Sequence, residues 1–284
     1  MKTAVIVQAR CGSTRLPAKV LRPLGGRPML IRMLERLAFA KTPDAVVVAT
    51  TTDTTDDVIE ETVIRAGFPC LRGHPTDLLD RHYAIAKRLA ADVVVKIPSD
   101  CPLVDPAVVD RVITAHLEDP RHPDYTSNLH PESYPDGNDV EVMSFSALET
   151  AWREASRPYE REHTTPFFWD QPARFVLGNV LWETRRDLSR THRVVVDYEE
   201  DYRVVRAVFD ALWAATRPVF GVAQIAAFLD GNPELRRLNE CRFGASWYRA
   251  HASELRTSGF DHAAAGAADV PSDLIPGMKT EGLS

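Results

Sequence analysis

A chain of 284 residues with 44% apolar and 26% charged side chains sits in the ordinary globular range and is long enough for one large core plus a small appendage. Its 40 acidic against 34 basic side chains leave a formal net charge of −6, which argues against a surface that covers nucleic-acid phosphates and leaves only a local basic pocket for a free nucleotide. Cys11, Cys70, Cys101 and Cys241 form no CxxC pair, Ala4–Val7 is too short for a signal-peptide core, and no run approaches the roughly 20 apolar residues of a membrane span, so the expectation is a cytoplasmic protein with reduced thiols.

In chain order, Thr3–Val7, Ala45–Thr50 and Asp92–Ile97 are apolar at consecutive positions, the pattern of parallel strands buried on both faces. Helical spacing fills the intervals: Pro28–Ala40, Asp56–Ala66, Leu78–Ala90 and then Pro106–His116. This alternation predicts βαβ units on a parallel sheet, hence a Rossmann-like α/β fold. Farther on, Asp139–Phe145, Arg174–Val180 and His192–Val196 read as strands, and Ala147–Ala155, Glu160–Trp169 and Tyr202–Ala214 as helices. After Arg217 the pattern offers short helices at Val222–Leu229, Pro233–Leu238 and Ala245–Leu255, before an Ala, Gly, Pro and Asp tail. The expected organisation is a main domain over 1–217, a helical segment over 218–262 and a mobile tail over 263–284.

Chemistry concentrates after the first strand, in Gln8-Ala9-Arg10-Cys11-Gly12-Ser13-Thr14-Arg15-Leu16-Pro17-Ala18-Lys19. Ligands of open α/β sheets bind outside the carboxyl ends of strands. Gly12 lets backbone approach a ligand, Ser13 and Thr14 add donors, and Arg10, Arg15 and Lys19 bring three positive charges, a set suited to a triphosphate. The alternative is a loop of solvated charges.

This loop resembles the ARxGSxRLPxK-like opening of the cytidylyltransferase family, whose members activate ketodeoxyoctonate and neuraminate, and most of all its spore-coat polysaccharide branch. Arg10 stands where sugar-1-phosphate uridylyl- and adenylyltransferases carry glycine. Two positions depart from the family: Cys11, usually methionine, and Ala18, usually glycine. The resemblance implies a nucleotidyltransferase (GT-A-like) sheet, CTP and an acceptor acid as substrates, Mg²⁺, and pyrophosphate release. It also implies a homodimer, for which the helices after Arg217 are candidates.

Asp100, in Lys96-Ile97-Pro98-Ser99-Asp100-Cys101-Pro102, leaves a strand at the carboxyl edge, where a carboxylate can hold Mg²⁺ against phosphates. Asp197 is the candidate second ligand; it resembles the aspartate of the family's VDTPEDL-like segment, with Tyr198-Glu199 in place of Thr-Pro. Either aspartate alone reads equally well as a helix cap. The expected catalytic set is Arg10, Arg15, Lys19 and Asp100.

Around the base, Thr51, Arg72 and Gly73 join Gln8, Ala9, Arg10, Gly12, Ser13, Arg15 and Lys19 as nucleotide contacts, with a surface charge as the alternative for Arg72. Asp77, Asp80 and Arg81 match a DxLDR pattern of the spore-coat branch and also read as capping and pairing residues. Asp136, Asn138 and Glu141, with Arg161, Glu162 and His163, resemble that branch's DGxDvE and REHxTP segments and are the expected acceptor contacts. Arg161 is the candidate anion clamp, with a pair to Glu141 or Glu162 as its alternative. Two rival functions remain: a nucleotide-sugar-dependent glycosyltransferase, whose usual Asp-x-Asp is replaced here by Asp100-Cys101-Pro102, and a noncatalytic nucleotide-binding module, which would not need both carboxylates.

Overall fold

Short apolar runs without alternation need cover on both faces, and the computed structural model, which describes residues 1–245 and 252–257, supplies it. Strands β1 (Thr3–Gln8), β2 (Ala45–Thr51), β3 (Cys70–Gly73) and β4 (Val93–Pro98) are parallel, joined through α1 (Met29–Leu37), α2 (Asp57–Arg65) and α3 (Leu78–Leu89). There follow α4 (Pro106–Glu118), β5 (Tyr125–Ser127), β6 (Glu141–Ser144), α5 (Phe145–Glu154), α6 (Pro158–His163), α7 (Pro166–Trp169) and β7 (Leu177–Asn179). Helices α8 (Glu199–Leu212), α9 (Val222–Gly231) and α10 (Pro233–Arg237) complete the order.

The strands stand as β3-β2-β1-β4-β6-β5-β7, with β6 antiparallel to both β4 and β5 and with β7 parallel to β5. The chain therefore steps outward from β1 to β3 and returns to lay β4 on the other side of β1. That reversal opens a crevice at the carboxyl ends of β1 and β4, the place where such sheets take ligands.

Successive side chains go to opposite faces. Val5, Val7, Val48, Val95 and Ile97 pack under α1, α2 and α4 through Leu30, Leu34, Val63, Val109 and Val112. On the other face, Ala4, Ile6, Val47, Ala49 and Val94 meet Leu79, Ala86, Leu148 and Phe168 of α3, α5 and α7. A third cluster presses α8 and α9, through Val205, Phe209, Ile225 and Leu229, onto Leu24, Leu103, Val194 and Val196. It carries the segment ending at Asp197 to the crevice.

Several expected elements change shape. His192–Val196 is not a strand of the sheet: it is an extended segment with a single bridge from Arg193 to Asp136, where Val194 N donates to Asp136 O at 2.7 Å and Val196 N to Asp100 O at 2.8 Å. Gly137, at φ +110, lies against it so closely that a Cβ would stand 2.5 Å from Val195 N. Phe145 does not end a strand but opens α5, because the Ser144 hydroxyl caps the helix by accepting from Ala147 N at 3.2 Å. Of Arg174–Val180, only Leu177–Asn179 pairs. The helix expected over Glu160–Trp169 divides at Thr164, whose φ of 69° and ψ of −61° place it in a tight turn closed by Thr165 N to His163 O at 2.8 Å, ahead of Pro166. Most of Ala245–Leu255, and the tail 263–284, lie outside the described residues; at 252–254 there is one 3₁₀ turn.

Candidate active site

The loop leaving β1 is held from below. Asp56, 1% exposed, accepts Cys11 N at 2.7 Å and the Thr51 hydroxyl at 2.5 Å, tying the loop to the end of β2. Ser13 N and Ala18 N both donate to Cys11 O, at 2.8 and 3.1 Å, so the loop folds back on itself before the 3₁₀ turn Lys19–Leu21. Ala18, where the family usually has glycine, is left-handed at φ 51° and ψ 28°, a conformation that costs an alanine about 1 kcal/mol. A Cβ at Gly12 would meet nothing within 4 Å, so the space above it is open.

Three of the loop's cations are placed differently. Lys19 is turned inward: its ammonium donates to Asp100 Oδ2 at 2.9 Å, Asp197 Oδ1 at 2.9 Å and Val196 O at 2.7 Å. Arg15, with its side chain 52% exposed, reaches the same Asp197 Oδ1 at 2.6 Å. Arg10 is exposed and lies near Arg81. Arg81 is buried, and its guanidinium donates to backbone oxygens, those of His74 at 2.9 and 2.7 Å and of Pro75 at 2.9 Å. Burial first, and the neighbouring Arg10 second, pull the Arg81 pKa down to about 10. These two cations raise the local positive potential beside the loop.

Across the crevice, Arg193 organises the acids. Its buried fork binds Asp136 at 2.6 Å, Asp197 Oδ2 at 3.3 Å and Asp201 at 2.9 and 3.2 Å. Asp201, wholly buried, also accepts Asp197 N at 3.1 Å and Tyr198 N at 3.0 Å, which fixes the turn carrying Asp197. Burial works against the charge of Asp197, but Lys19, Arg15 and Arg193 outweigh it and hold the carboxyl below its usual range. For Lys19, burial works to lower the pKa and the charges of Asp100 and Asp197 prevail, so it stays raised. Asp136 goes the other way: burial lifts it to about 7 in spite of Arg193. Asp139 is pushed further up by burial and by the negative charges of Asp136 and Asp100.

Asp100, Asp136, Asp197, Arg15 and Lys19 are thus brought together from segments far apart in the chain. Other expected contacts have different partners. Arg72 spends its guanidinium on Thr51 O and Asp53 O, both at 2.7 Å, and on Asp57 at 2.5 Å, tying β3 to the turn after β2. Arg161 is not an open clamp and pairs with neither Glu141 nor Glu162: it grips Asp77 at 2.5 Å and Trp152 O at 2.7 Å. Glu141 is closed inside the sheet with Lys96 and the Tyr125 hydroxyl, and Asn138 accepts Asp105 N at 3.1 Å below the crevice. Glu162 is exposed and His163 half-buried at the end of α6. Gly73 packs against Arg81, whose Cγ would stand 2.8 Å from a Cβ there. Asp77 both caps α3, accepting Asp80 N at 2.8 Å, and pairs with Arg161.

Arg193, Asp201 and Asp139 are not among the expected site residues, although Asp139 lies within the Asp136–Glu141 segment and Arg193 and Asp201 stand four positions either side of Asp197. Side-chain direction at such places follows from tertiary packing.

Among the described residues no three His, Cys, Asp or Glu side chains form a metal-binding group. The donors present are two carboxylates that meet at one point, each 2.9 Å from the Lys19 ammonium. That set fits a magnesium ion taking its remaining ligands from phosphate and water.

The family model described as cytidylyltransferase matches residues 4–231. The spore coat polysaccharide biosynthesis protein SpsF of Bacillus subtilis is 32% identical over 234 residues, 81% of this chain and 94% of that protein. A cytidylyltransferase from Leptospira borgpetersenii superposes with a TM-score of 0.78 at 32% identity, over 83% of this chain and 96% of that one. The structure of CMP:2-keto-3-deoxy-manno-octonic acid synthetase complexed with CTP shares the fold at a TM-score of 0.58 and 18% identity, over 75% of this chain and all of that one. With the crevice, the basic loop and the paired carboxylates in place, the chain belongs to the cytidylyltransferase family and is a CTP-dependent nucleotidyltransferase.

Proposed function

We propose that this enzyme transfers CMP from CTP to a sugar acid or a related polyhydroxy or phosphorylated acceptor, releasing pyrophosphate, in the synthesis of polysaccharide or glycoconjugate precursors. The observation that carries the reading is the meeting of Asp100, Asp197, Lys19 and Arg15 at the crevice between β1 and β4. The names of SpsF and of the octonic acid synthetase, relatives in sequence and in fold, support the choice of pathway and acceptor.

In this reading Gly12 and Ser13 bring backbone to the triphosphate, and Arg10, Arg15 and Lys19 neutralise it, with Arg81 behind Arg10. Asp100 and Asp197 would hold a Mg²⁺ ion, which would supply neutralisation of phosphate charge. An acceptor oxygen attacks the α-phosphorus, and the bond from that phosphorus to the oxygen shared with the β-phosphate breaks in line. No covalent protein intermediate is needed, since positioning and charge stabilisation carry such transfers. Asp136, oriented by the Arg193 guanidinium, accepts a hydrogen bond from an acceptor hydroxyl.

Pyrophosphate release with Mg²⁺, each nucleoside triphosphate and a panel of sugar acids, polyol phosphates and phosphonates tests the reading. Release with CTP and one acceptor class is expected; release with another nucleotide alone would overturn it. The same reading takes the enzyme as a cytoplasmic homodimer, and light scattering at the 31.7 kDa of a single chain would refute the dimer.

A further inference from the structure

Lys19 is the most enclosed of the loop's cations. Its side chain is 11% exposed, and its ammonium is held at 2.9 Å by a carboxylate oxygen of Asp100, at 2.9 Å by one of Asp197 and at 2.7 Å by Val196 O. The point where the two carboxylates converge is therefore filled by a positive charge of the chain itself. A magnesium ion held by the same two oxygens would compete with that ammonium for their negative charge.

Asp197 does not depend on Lys19 alone for its placement, and the backbone that carries Asp100 is fixed independently of it. Asp197 is held separately by Arg15 at 2.6 Å and Arg193 at 3.3 Å, and its backbone N–H is fixed on Asp201. Asp100 is tied through its backbone oxygen to Val196 N at 2.8 Å. Lysine, with a flexible stem and a point charge, can leave such a site as soon as another anion competes for it. The loop that bears Lys19 also bears Arg10, Gly12 and Ser13, so an incoming triphosphate arrives beside it.

We propose that Lys19 is the resident counter-ion of the two carboxylates in the free enzyme and passes to the triphosphate when the nucleotide binds, so that nucleotide binding vacates the metal position. This rests on the reading of Asp100 and Asp197 as metal ligands of a CTP-dependent enzyme. A static buried ion pair is the competing explanation, and it makes a different prediction for metal binding without nucleotide. Coupled binding is reciprocal, so Lys19 must lower metal affinity in the free enzyme by the factor that it contributes to the cooperativity of metal and nucleotide.

Mn²⁺ binding to the full chain, followed by loss of the free-ion paramagnetic resonance signal, reads this directly. Without nucleotide, Lys19→Met and Lys19→Gln should bind Mn²⁺ about tenfold more tightly than the wild type, the size expected of such coupling. Lys19→Gln keeps a donor for Val196 O, and circular dichroism checks that each variant is folded. Adding Asp100→Asn to Lys19→Gln should return binding to the weak level, which places the ion, whereas Arg203→Gln, an exposed charge on α8, should change nothing.

The proposal is overturned if folded Lys19→Gln binds Mn²⁺ no more tightly than the wild type. It is equally overturned if the wild type alone binds Mn²⁺ as tightly as the variant does at an Asp100-dependent site. A CTP analogue with a methylene between the α- and β-phosphorus should tighten Mn²⁺ binding far more in the wild type than in Lys19→Gln. If that analogue gives no binding heat at all, the CTP reading fails, while the comparison made without nucleotide still decides the role of Lys19.

Discussion

Asp197 is held by Arg15, Lys19 and Arg193, and Asp100 by Lys19, so removing either charge leaves a surplus of cations in the crevice. Asp100→Asn and Asp197→Asn should each lower Mg²⁺-dependent pyrophosphate release by about a hundredfold or more, the cost typical of losing one preorganised charge at a reacting centre. Circular dichroism should show the native fold in both, and full turnover in either would remove that residue from the site. Gly12 tests the other side of the crevice. Because a Cβ there meets nothing within 4 Å, Gly12→Ala should leave the denaturant midpoint unchanged while weakening CTP binding by about tenfold, a loss that calorimetry reads. These residues were legible in the sequence because loop position and charge specify them. Arg72 and Arg161 were not, since an arginine fork accepts any nearby carboxylate, and only folding brings Asp57 to the first and Asp77 to the second.

Among the elements, α1 fastens the segment that presents Asp100. Arg36, 2% exposed, sends its guanidinium across to Val104 O at 3.2 Å, Leu103 O at 3.1 Å and Phe220 O at 2.7 Å. Burial, partly offset by the nearby Asp105, pulls its pKa down to about 10, still high enough to keep it charged at neutral pH. One side chain thus joins α1, the link from β4 to α4, and the approach to α9. Arg36→Met should destabilise the protein by about 3 kcal/mol, the sum expected when several buried carbonyls lose their donor, and a urea melt measures it. A loss below about 1 kcal/mol would mean that water replaces the guanidinium. The starts of α3 and α4 were readable because Asp77 and Asp105 each supply a capping oxygen, whereas the start of α5 behind Ser144 was masked by the apolar run that reads as a strand through Phe145. The short strands β3 and β5 were not readable, because so few residues carry no periodicity and pairing alone makes them strands.

For the whole molecule, two histidines tie stability to pH. His82 is fully buried and burial pulls its pKa down to about 3; His116, 6% exposed, is pulled by burial to about 4. Both titrate near 6.5 when unfolded, so below that pH the unfolded chain binds protons that the folded chain refuses. Their contribution is complete above pH 6.5 and is lost as pH falls toward 4 and then 3. Each steepens the acid limb by about 1.4 kcal/mol per pH unit. Urea melts from pH 6.5 to 4 should show a limb shallower by about that slope in His116→Gln. Parallel limbs would mean that His116 becomes protonated in the folded protein.

The match to the cytidylyltransferase model over residues 4–231 removes the glycosyltransferase and noncatalytic alternatives that the strand-end motifs left open. The sequence by itself determined the α/β class, the family and the strand ends where chemistry gathers, because hydrophobic period and short charged loops are properties of adjacent residues. Tertiary structure decided which charges meet. Lys19 lies on the carboxylates of Asp100 and Asp197, Arg193 joins three aspartates, and Glu141 turns inward to Lys96. Ion pairs between residues 81 or 182 positions apart leave no trace in local pattern, since they depend on the return of the chain that sets β4 beside β1 and on the packing of α8 that presses Asp197 into the crevice.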